Sequence, residues 1–218
     1  MEDNQETILY LIAHNDDQLI GAGGTLKKYS NEGKKIITII FSFGESSLPF
    51  HNDDYTRKTR VKESRRAAKI LGEDSVHYLG LTELKIPEEI KQKNIYEKIE
   101  NIIKKNKPTK IFTHSLDDPH PDHKAVYNFT LDLVDNINYK GDVYSFNIWN
   151  YFFNFRRRDL PKLVVDISST FKYKVEAFKK HKSQWVTMLT HVFNIYFQAI
   201  MYGFLNNVKY AEVFYKVR

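Results

Sequence analysis

Ile8-Leu9-Tyr10-Leu11-Ile12-Ala13-His14-Asn15-Asp16-Asp17-Gln18 begins as an unbroken apolar run and ends in ionisable side chains. The run from Ile8 to Ile12 leaves no polar position to face water, which is the pattern of a strand covered on both faces in a parallel sheet. Open sheets of that kind bind ligands just beyond the C-terminal ends of their strands, and that is where His14, Asp16 and Asp17 fall. Two neighbouring carboxylates beside an imidazole need compensation, and a divalent cation is the simplest candidate because it requires deprotonated ligands. Since Asp16 and Asp17 are adjacent, one can ligate a metal while the other faces a water bound to it. The alternative is that one aspartate simply caps the helix that follows.

Outward from this stretch, strand and helix patterns alternate. Asp17 to Glu32 reads as a helix with a glycine-rich start, Gly21-Ala22-Gly23-Gly24, and Gly33 as its stop. Lys35 to Phe41 is a second buried strand rich in β-branched residues. A loop from Phe43 to Tyr55 leads to an amphipathic helix, Arg57 to Leu71, and a short strand, Ser75 to Leu79. Pro87 to Lys105 reads as one long charged helix, buried through Ile90, Ile95, Ile99, Ile102 and Ile103. Lys110 to His114 is a fourth strand, and Lys124 to Val134 lies in a helix. Later strands are Val143 to Trp149 and Leu163 to Ile167, later helices Thr170 to Lys182 and Trp185 to Tyr202, and Ala211 to Val217 closes the sheet. The alternation predicts an α/β fold in one domain spanning residues 1–218, a mostly parallel, doubly wound, Rossmann-like sheet flanked by helices.

Composition narrows the function classes. With no cysteine, neither a disulfide framework nor a thiolate metal site is available, so any metal is held by imidazole and carboxylate. No run of about 18 apolar residues exists, so no membrane span is expected. The polar, acidic start Met1 to Glu6 does not read as a signal peptide, which favours a cytoplasmic location. The net charge of +6 comes from scattered lysine pairs, which read as solvated helix faces. The densest basic run, Arg156-Arg157-Arg158 after Trp149 to Phe153, reads as a surface loop rather than a nucleic-acid site, so no nucleic-acid partner is expected. The aromatic stretch Trp185 to Phe204 reads as core, with a homo-oligomer interface as the alternative.

After the fourth strand comes a second dense cluster, His114-Ser115-Leu116-Asp117-Asp118-Pro119-His120-Pro121-Asp122-His123. Pro121 suits a first helical turn, and His120 and His123 at i, i+3 face the same way. Both clusters follow strands of one parallel sheet, so they can meet in one crevice. His51, His77, His181 and His191 read instead as structural histidines. The glycines of Gly21 to Gly24 do not fit Gly-x-Gly-x-x-Gly, which leaves nucleotide binding a weak alternative.

Together these motifs resemble the LmbE/PIG-L family of metal-dependent N-acetylsugar deacetylases. The resemblance is carried by Ala13 to Asp17 with Gly23-Gly24-Thr25, and by Asp118-Pro119-His120-Pro121-Asp122-His123. It is supported by Arg60-Val61-Lys62-Glu63, Tyr78-Leu79-Gly80-Leu81 and His181-Lys182-Ser183-Gln184. It implies that His14, Asp17 and His123 bind the metal, zinc by expectation with Fe(II) or Co(II) also suited to such ligands. It further implies that Asp16 is the general base for a metal-bound water. In the same reading His120 is a protonated general acid, held by Asp122, and Arg60 binds the substrate. Arg60 has an alternative, a salt bridge to Glu63 on its own helix. The expected substrate is a small-molecule N-acetylglucosamine-type sugar losing its acetyl group. Other readings are hydrolysis of a non-sugar amide and a non-catalytic sugar-binding protein. The family's first motif usually reads His-Pro-Asp-Asp-Glu; here Asn15 replaces the proline and Gln18 the glutamate. Thr82-Glu83 also departs from the usual aspartate after the Leu81 run, so no role is carried to it.

Overall fold

In a computed structural model of the chain, residues 5–45, 53–149 and 159–218 are described. Thr7–Ile12 is strand β1, buried along its whole length. It is followed by α1 (Asp17–Asn31), β2 (Lys35–Ser42), α2 (Asp53–Leu71), β3 (Ser75–Leu81), α3 (Ile86–Gln92) and α4 (Ile95–Asn106). Then come β4 (Lys110–His114), α5 (Pro121–Asn136), β5 (Asp142–Phe146) and β6 (Lys162–Asp166). The chain closes with α6 (Phe171–Phe178), a 3-10 turn at Lys182–Gln184, α7 (Trp185–Leu205) and β7 (Ala211–Lys216). The strand order is β3-β2-β1-β4-β5-β7-β6. The first five strands are parallel neighbours, and β7 runs antiparallel between β5 and β6. The expected mostly parallel, doubly wound sheet is present.

β1 divides the core in two. Its alternate residues Ile8, Tyr10 and Ile12 pack into one apolar cluster together with Leu19 and Leu26 of α1. Leu9, Leu11 and Ala13 pack into the other, with Val126, Phe129 and Leu133 of α5. The period of two along a strand puts these sets on opposite faces, so α1 and α5 cover opposite sides of the sheet. The chain therefore leaves β1 and β4 in opposite directions, and a crevice opens between their C-terminal ends.

Some boundaries differ from those read in the sequence. The long helix from Pro87 is two helices, broken at Lys93, whose backbone is extended (φ −97, ψ 146). Ile86 and Ile90 share one helical phase, which would next bury positions 93 or 94. Those are Lys93 and Asn94, and Ile95 starts a new phase about half a turn away. Ile95, Ile99 and Ile103 then form the buried stripe of α4. β5 ends at Phe146 rather than Trp149, because the Ile148 and Trp149 amides donate to the Asp118 carboxylate, each at 3.2 Å. α6 stops at Phe178, before the 3-10 turn. His51, the run Arg156 to Arg158 and the aromatics Tyr151 to Phe153 lie outside the described residues.

The glycines of α1 have a packing role. A Cβ at Gly21 would lie 2.2 Å from the Phe146 ring, and one at Gly24 within 2.6 to 2.8 Å of three Ile167 atoms. The helix passes too close to the sheet for any side chain there. Beside it, the buried pair Lys174 and Glu212 meets at 2.6 Å. Glu212 also accepts the Gly24 and Thr25 amides, at 3.1 and 2.7 Å. Gly24→Ala sets two effects against each other. Alanine gains about 1 kcal/mol of helix propensity, whereas overpacking a tight core costs about 1–3 kcal/mol. A lowered melting temperature is expected in a thermal melt; a raised one would mean that Ile167 yields freely.

Candidate metal centre

Each motif delivers its side chains through local geometry. Asp17 opens α1, and its Oδ2 accepts the His14 amide at 2.7 Å, fixing carboxylate and imidazole in one tight turn. Asp16, just before the helix, makes no side-chain capping bond, so capping does not account for its carboxylate. In the second motif Asp118 is fully buried and its Oδ1 accepts the His120 amide at 3.0 Å. His120 is the N-cap of α5, its Nδ1 accepting the Asp122 amide at 3.2 Å, and Pro121 opens the helix. His123 follows one turn on, buried.

The two motifs meet. His14 Nδ1 lies 3.3 Å from His123 Nε2 and 3.5 Å from Asp17 Oδ2. His123 Nε2 lies 3.4 Å from Asp17 Oδ1. Ligands about 2.0–2.1 Å from a tetrahedral zinc ion stand about 3.3–3.4 Å apart; the two imidazole nitrogens have that spacing, and each lies about as far from one of the two Asp17 oxygens, Oδ2 for His14 and Oδ1 for His123. Each imidazole also has a carboxylate behind it. His14 Nε2 is 3.2 Å from Asp122 Oδ2, and His123 Nδ1 is 3.0 Å from Asp118 Oδ1. Outer carboxylates of this kind fix the ring and raise its basicity towards a metal. His14, His120 and Asp122 form a second group of candidate ligands. In that group the Asp122 carboxylate is already engaged by His14 and by the Leu84 amide at 2.8 Å. Leu84 takes a left-handed backbone (φ 65) as it makes that bond, a sparsely populated conformation for a branched residue.

The electrostatics favour positive charge at this point. Burial opposes protonation of His14, but its bonds to Asp122 and Asp17 outweigh burial and raise its pKa to about 10. For His123 burial is again overridden, by Asp17 and Asp118, and the pKa rises to about 9. Burial also opposes ionisation of Asp17, yet His123 and His114 hold its pKa well below the usual carboxylate range. His120 goes the other way. Burial and the positive charge of His14 and His123 lower its pKa to about 4.

This changes one reading from the sequence. The Asp122 carboxylate points at His14, and only its backbone amide serves His120. With His120 Nδ1 accepting the Asp122 amide, a proton carried by this ring sits on Nε2. Arg60 also resolves differently from its salt-bridge alternative. Glu63 is occupied by Ser183, which donates its amide at 2.9 Å and its hydroxyl at 2.6 Å. Arg60 instead donates to the Gly44 carbonyl and lies 3.8 Å from Asp16.

All seven residues singled out in the sequence gather at this crevice. His14, Asp16, Asp17, Arg60 and His120 line one pocket, while Asp122 and His123 lie directly behind it. The pocket has further walls that sequence reasoning missed: Glu83, Trp149, Gln184 and His191. Glu83 comes within 3.9 Å of His14 Nε2. His191, read as structural, sits against the Trp149 ring at 4.3 Å between centroids. His114 stacks on His123 at 4.0 Å, and its Nε2 accepts the Ala13 amide at 2.9 Å. The Ser183-Gln184 dipeptide was a usable signal for one wall. A lone histidine within a helix of aromatics gave none.

The pattern of the PIG-L family, GlcNAc-PI de-N-acetylase, matches residues 9–134, which include both motifs. The chain is 26% identical to the diacetylchitobiose deacetylase of Thermococcus kodakarensis, over 94% of this chain and 80% of that protein. Its fold superposes on the N,N'-diacetylchitobiose deacetylase of Pyrococcus horikoshii with a TM-score of 0.79 at 21% identity, over 98% of this chain and 84% of the other. It superposes equally on a 4-carboxy-2-hydroxymuconate hydratase from Pseudomonas putida, with a TM-score of 0.78 at 19% identity, covering 98% and 97% of the two chains. The fold alone therefore does not distinguish deacetylation from hydration.

The departures in the first motif have local consequences. Asn15 is fully buried, and neither atom of its amide has a partner among the described residues. Gln18 donates to Glu73 Oε1 at 3.2 Å. Burial raises the Glu73 pKa from 4.5 to about 7, against the opposing bond from Gln18. The folded state thus holds a proton that the unfolded chain has released, so stability falls as pH rises from about 4.5 to about 7. Glu73→Gln should be more stable than the parent by on the order of 1–3 kcal/mol at about pH 8, and the gain should vanish near pH 5. Denaturant titrations at the two pH values check this; an equal gain at both would assign the effect to packing.

Proposed function

The chain belongs to the PIG-L family, and from that premise we propose that it is a metal-dependent N-deacetylase, hydrolysing the acetamide of an N-acetylglucosamine-type sugar to acetate and a free amine. The observation that carries this reading is the grouping of His14, Asp17 and His123, whose facing nitrogens lie 3.3 Å apart and 3.4 to 3.5 Å from one or other Asp17 oxygen, beside an Asp16 carboxylate that caps nothing. His14, Asp17 and His123 would hold the ion, with zinc the first candidate and Fe(II) or Co(II) compatible with the same donors. When bound, it would polarise the acetyl carbonyl and make water more acidic.

The chain's own residues account for the remaining steps. Asp16 lines the pocket next to Asp17 and takes a proton as water adds to the carbonyl carbon. The new C–O bond places negative charge on the former carbonyl oxygen. His120, neutral and carrying its proton on Nε2, donates a hydrogen bond to that oxygen. Departure of the nitrogen breaks the C–N bond and requires a proton, because an amide anion is a very poor leaving group. With His120 neutral, that proton is the one Asp16 has just taken, a change from the general-acid role that the motif resemblance gives His120. Arg60, held by Gly44 beside Asp16, is placed to bind a hydroxyl or anionic group of the sugar. Trp149 offers an aromatic wall for its apolar face.

Acetate release from N-acetylglucosamine and its short conjugates tests the reading. Asp16→Asn should lower kcat by about 10²–10⁴-fold and still hold metal. His120→Ala should lose about 10²–10³-fold in kcat, and Arg60→Ala should act mainly through KM. Turnover of acetanilide-type amides but of no sugar would make the chain an amidohydrolase of another class. Metal binding without any turnover would make it a binding protein.

A further inference from the structure

Helix α7 is amphipathic in the wrong sense for a surface helix. Its 21 residues include no Asp, Glu, Lys or Arg. The side turned to the protein buries His191 and Asn194 beside Ile195 and Ala199. The side turned to solvent carries Trp185, Leu189, Phe193, Ile200 and Phe204, between 51% and 82% exposed. A surface helix normally shows the reverse, with its apolar stripe inward. Taking about 150–250 Å² for each large side chain and these exposures, the uncovered apolar surface of the five is on the order of 500–800 Å². The largest apolar patch on an ordinary monomer is about 300–600 Å², whereas one side of a standard protein interface is about 800 Å².

The patch also contains both a hollow and knobs. Between α6 and α7 runs a groove of about 300 Å³ whose walls include Val175, Phe178, Met188, Val192 and Tyr196. Phe193 and Phe204, on the same helix but outside the groove, are 68% and 82% exposed. A bilayer surface fills no groove, whereas a two-fold contact brings the knobs of one copy to the hollow of the other. The composition fits as well: aromatic residues and Met at the centre, no charge on the helix, and exposed Lys182 and Lys209 just beyond its two ends. Interfaces have this arrangement of apolar centre and polar rim. We propose that the outer face of α7 is the docking surface for a second copy of this chain, α7 packing against α7 about a two-fold axis. The proposal stands on the outer face alone and does not depend on what the pocket hydrolyses.

Sedimentation velocity over about a hundredfold range of concentration tests it, read with circular dichroism. The wild type should sediment as a dimer, and Leu189→Glu and Phe193→Glu as folded monomers. Because the chain has no cysteine, Phe193→Cys treated with a short bis-maleimide should give a cross-linked dimer. Lys104→Cys, exposed on α4 on the other face of the sheet, should give none. The cross-link decides the matter if either Glu variant fails to fold. A wild type that stays monomeric at every concentration overturns the proposal, including one that binds anionic vesicles as a monomer. So does a dimer that both Glu variants leave intact and Phe193→Cys does not cross-link.

Discussion

Four carboxylates crowd two buried imidazoles, and the charge between them organises this protein. Asp17, Asp122 and Glu83 lie within 4 Å of His14, and Asp118 lies 3.0 Å from His123. Removing so many acidic groups from water is costly unless positive charge sits among them. Without an ion the imidazoles supply it as protons, which is why both histidine pKa values rise despite burial. A divalent cation does the same with deprotonated ligands. The acidic shell that would bind the metal tightly is thus the shell that would be unfavourable without it.

The sheet makes this crowding possible. β1 and β4 are adjacent and parallel, and the helices after them leave on opposite faces. The two motifs are more than a hundred residues apart in the chain, yet both sit at the mouth of the same crevice. Close approach of α1 to the sheet, through Gly21 and Gly24, keeps Asp16 and Asp17 over that mouth. Asp118 links the site to the wall of the pocket, holding His123 with one oxygen and the Ile148 and Trp149 amides with the other.

Much of this was legible in the sequence because it depends on local pattern. The apolar run Ile8 to Ile12 marks a strand buried on both faces, and the ionisable residues at its end line the pocket. Directions of side chains were less legible. Asp122 was expected to hold its neighbour His120, but helix geometry turns its carboxylate across to His14, a contact 108 residues away. The break between α3 and α4 was visible as a change of helical phase among isoleucines, yet the charged residues between them favour helix and masked it. Trp149 and His191 come from segments distant in sequence, with no motif to join them. The aromatic C-terminal stretch reads as core from its sequence. Periodicity cannot orient a helix such as α7, where neither face carries a charge and the apolar side is the outer one.

The central claim is that the grouping of His14, Asp17 and His123 is a metal site. The most direct test is elemental analysis of the folded protein after loading with zinc and desalting, with Asp17→Asn and His123→Ala alongside. About one ion per chain is predicted for the wild type, as for a single three-ligand site, and little or none for either variant. A folded wild type that retains no metal, or a His123→Ala protein that retains it fully, would contradict the account.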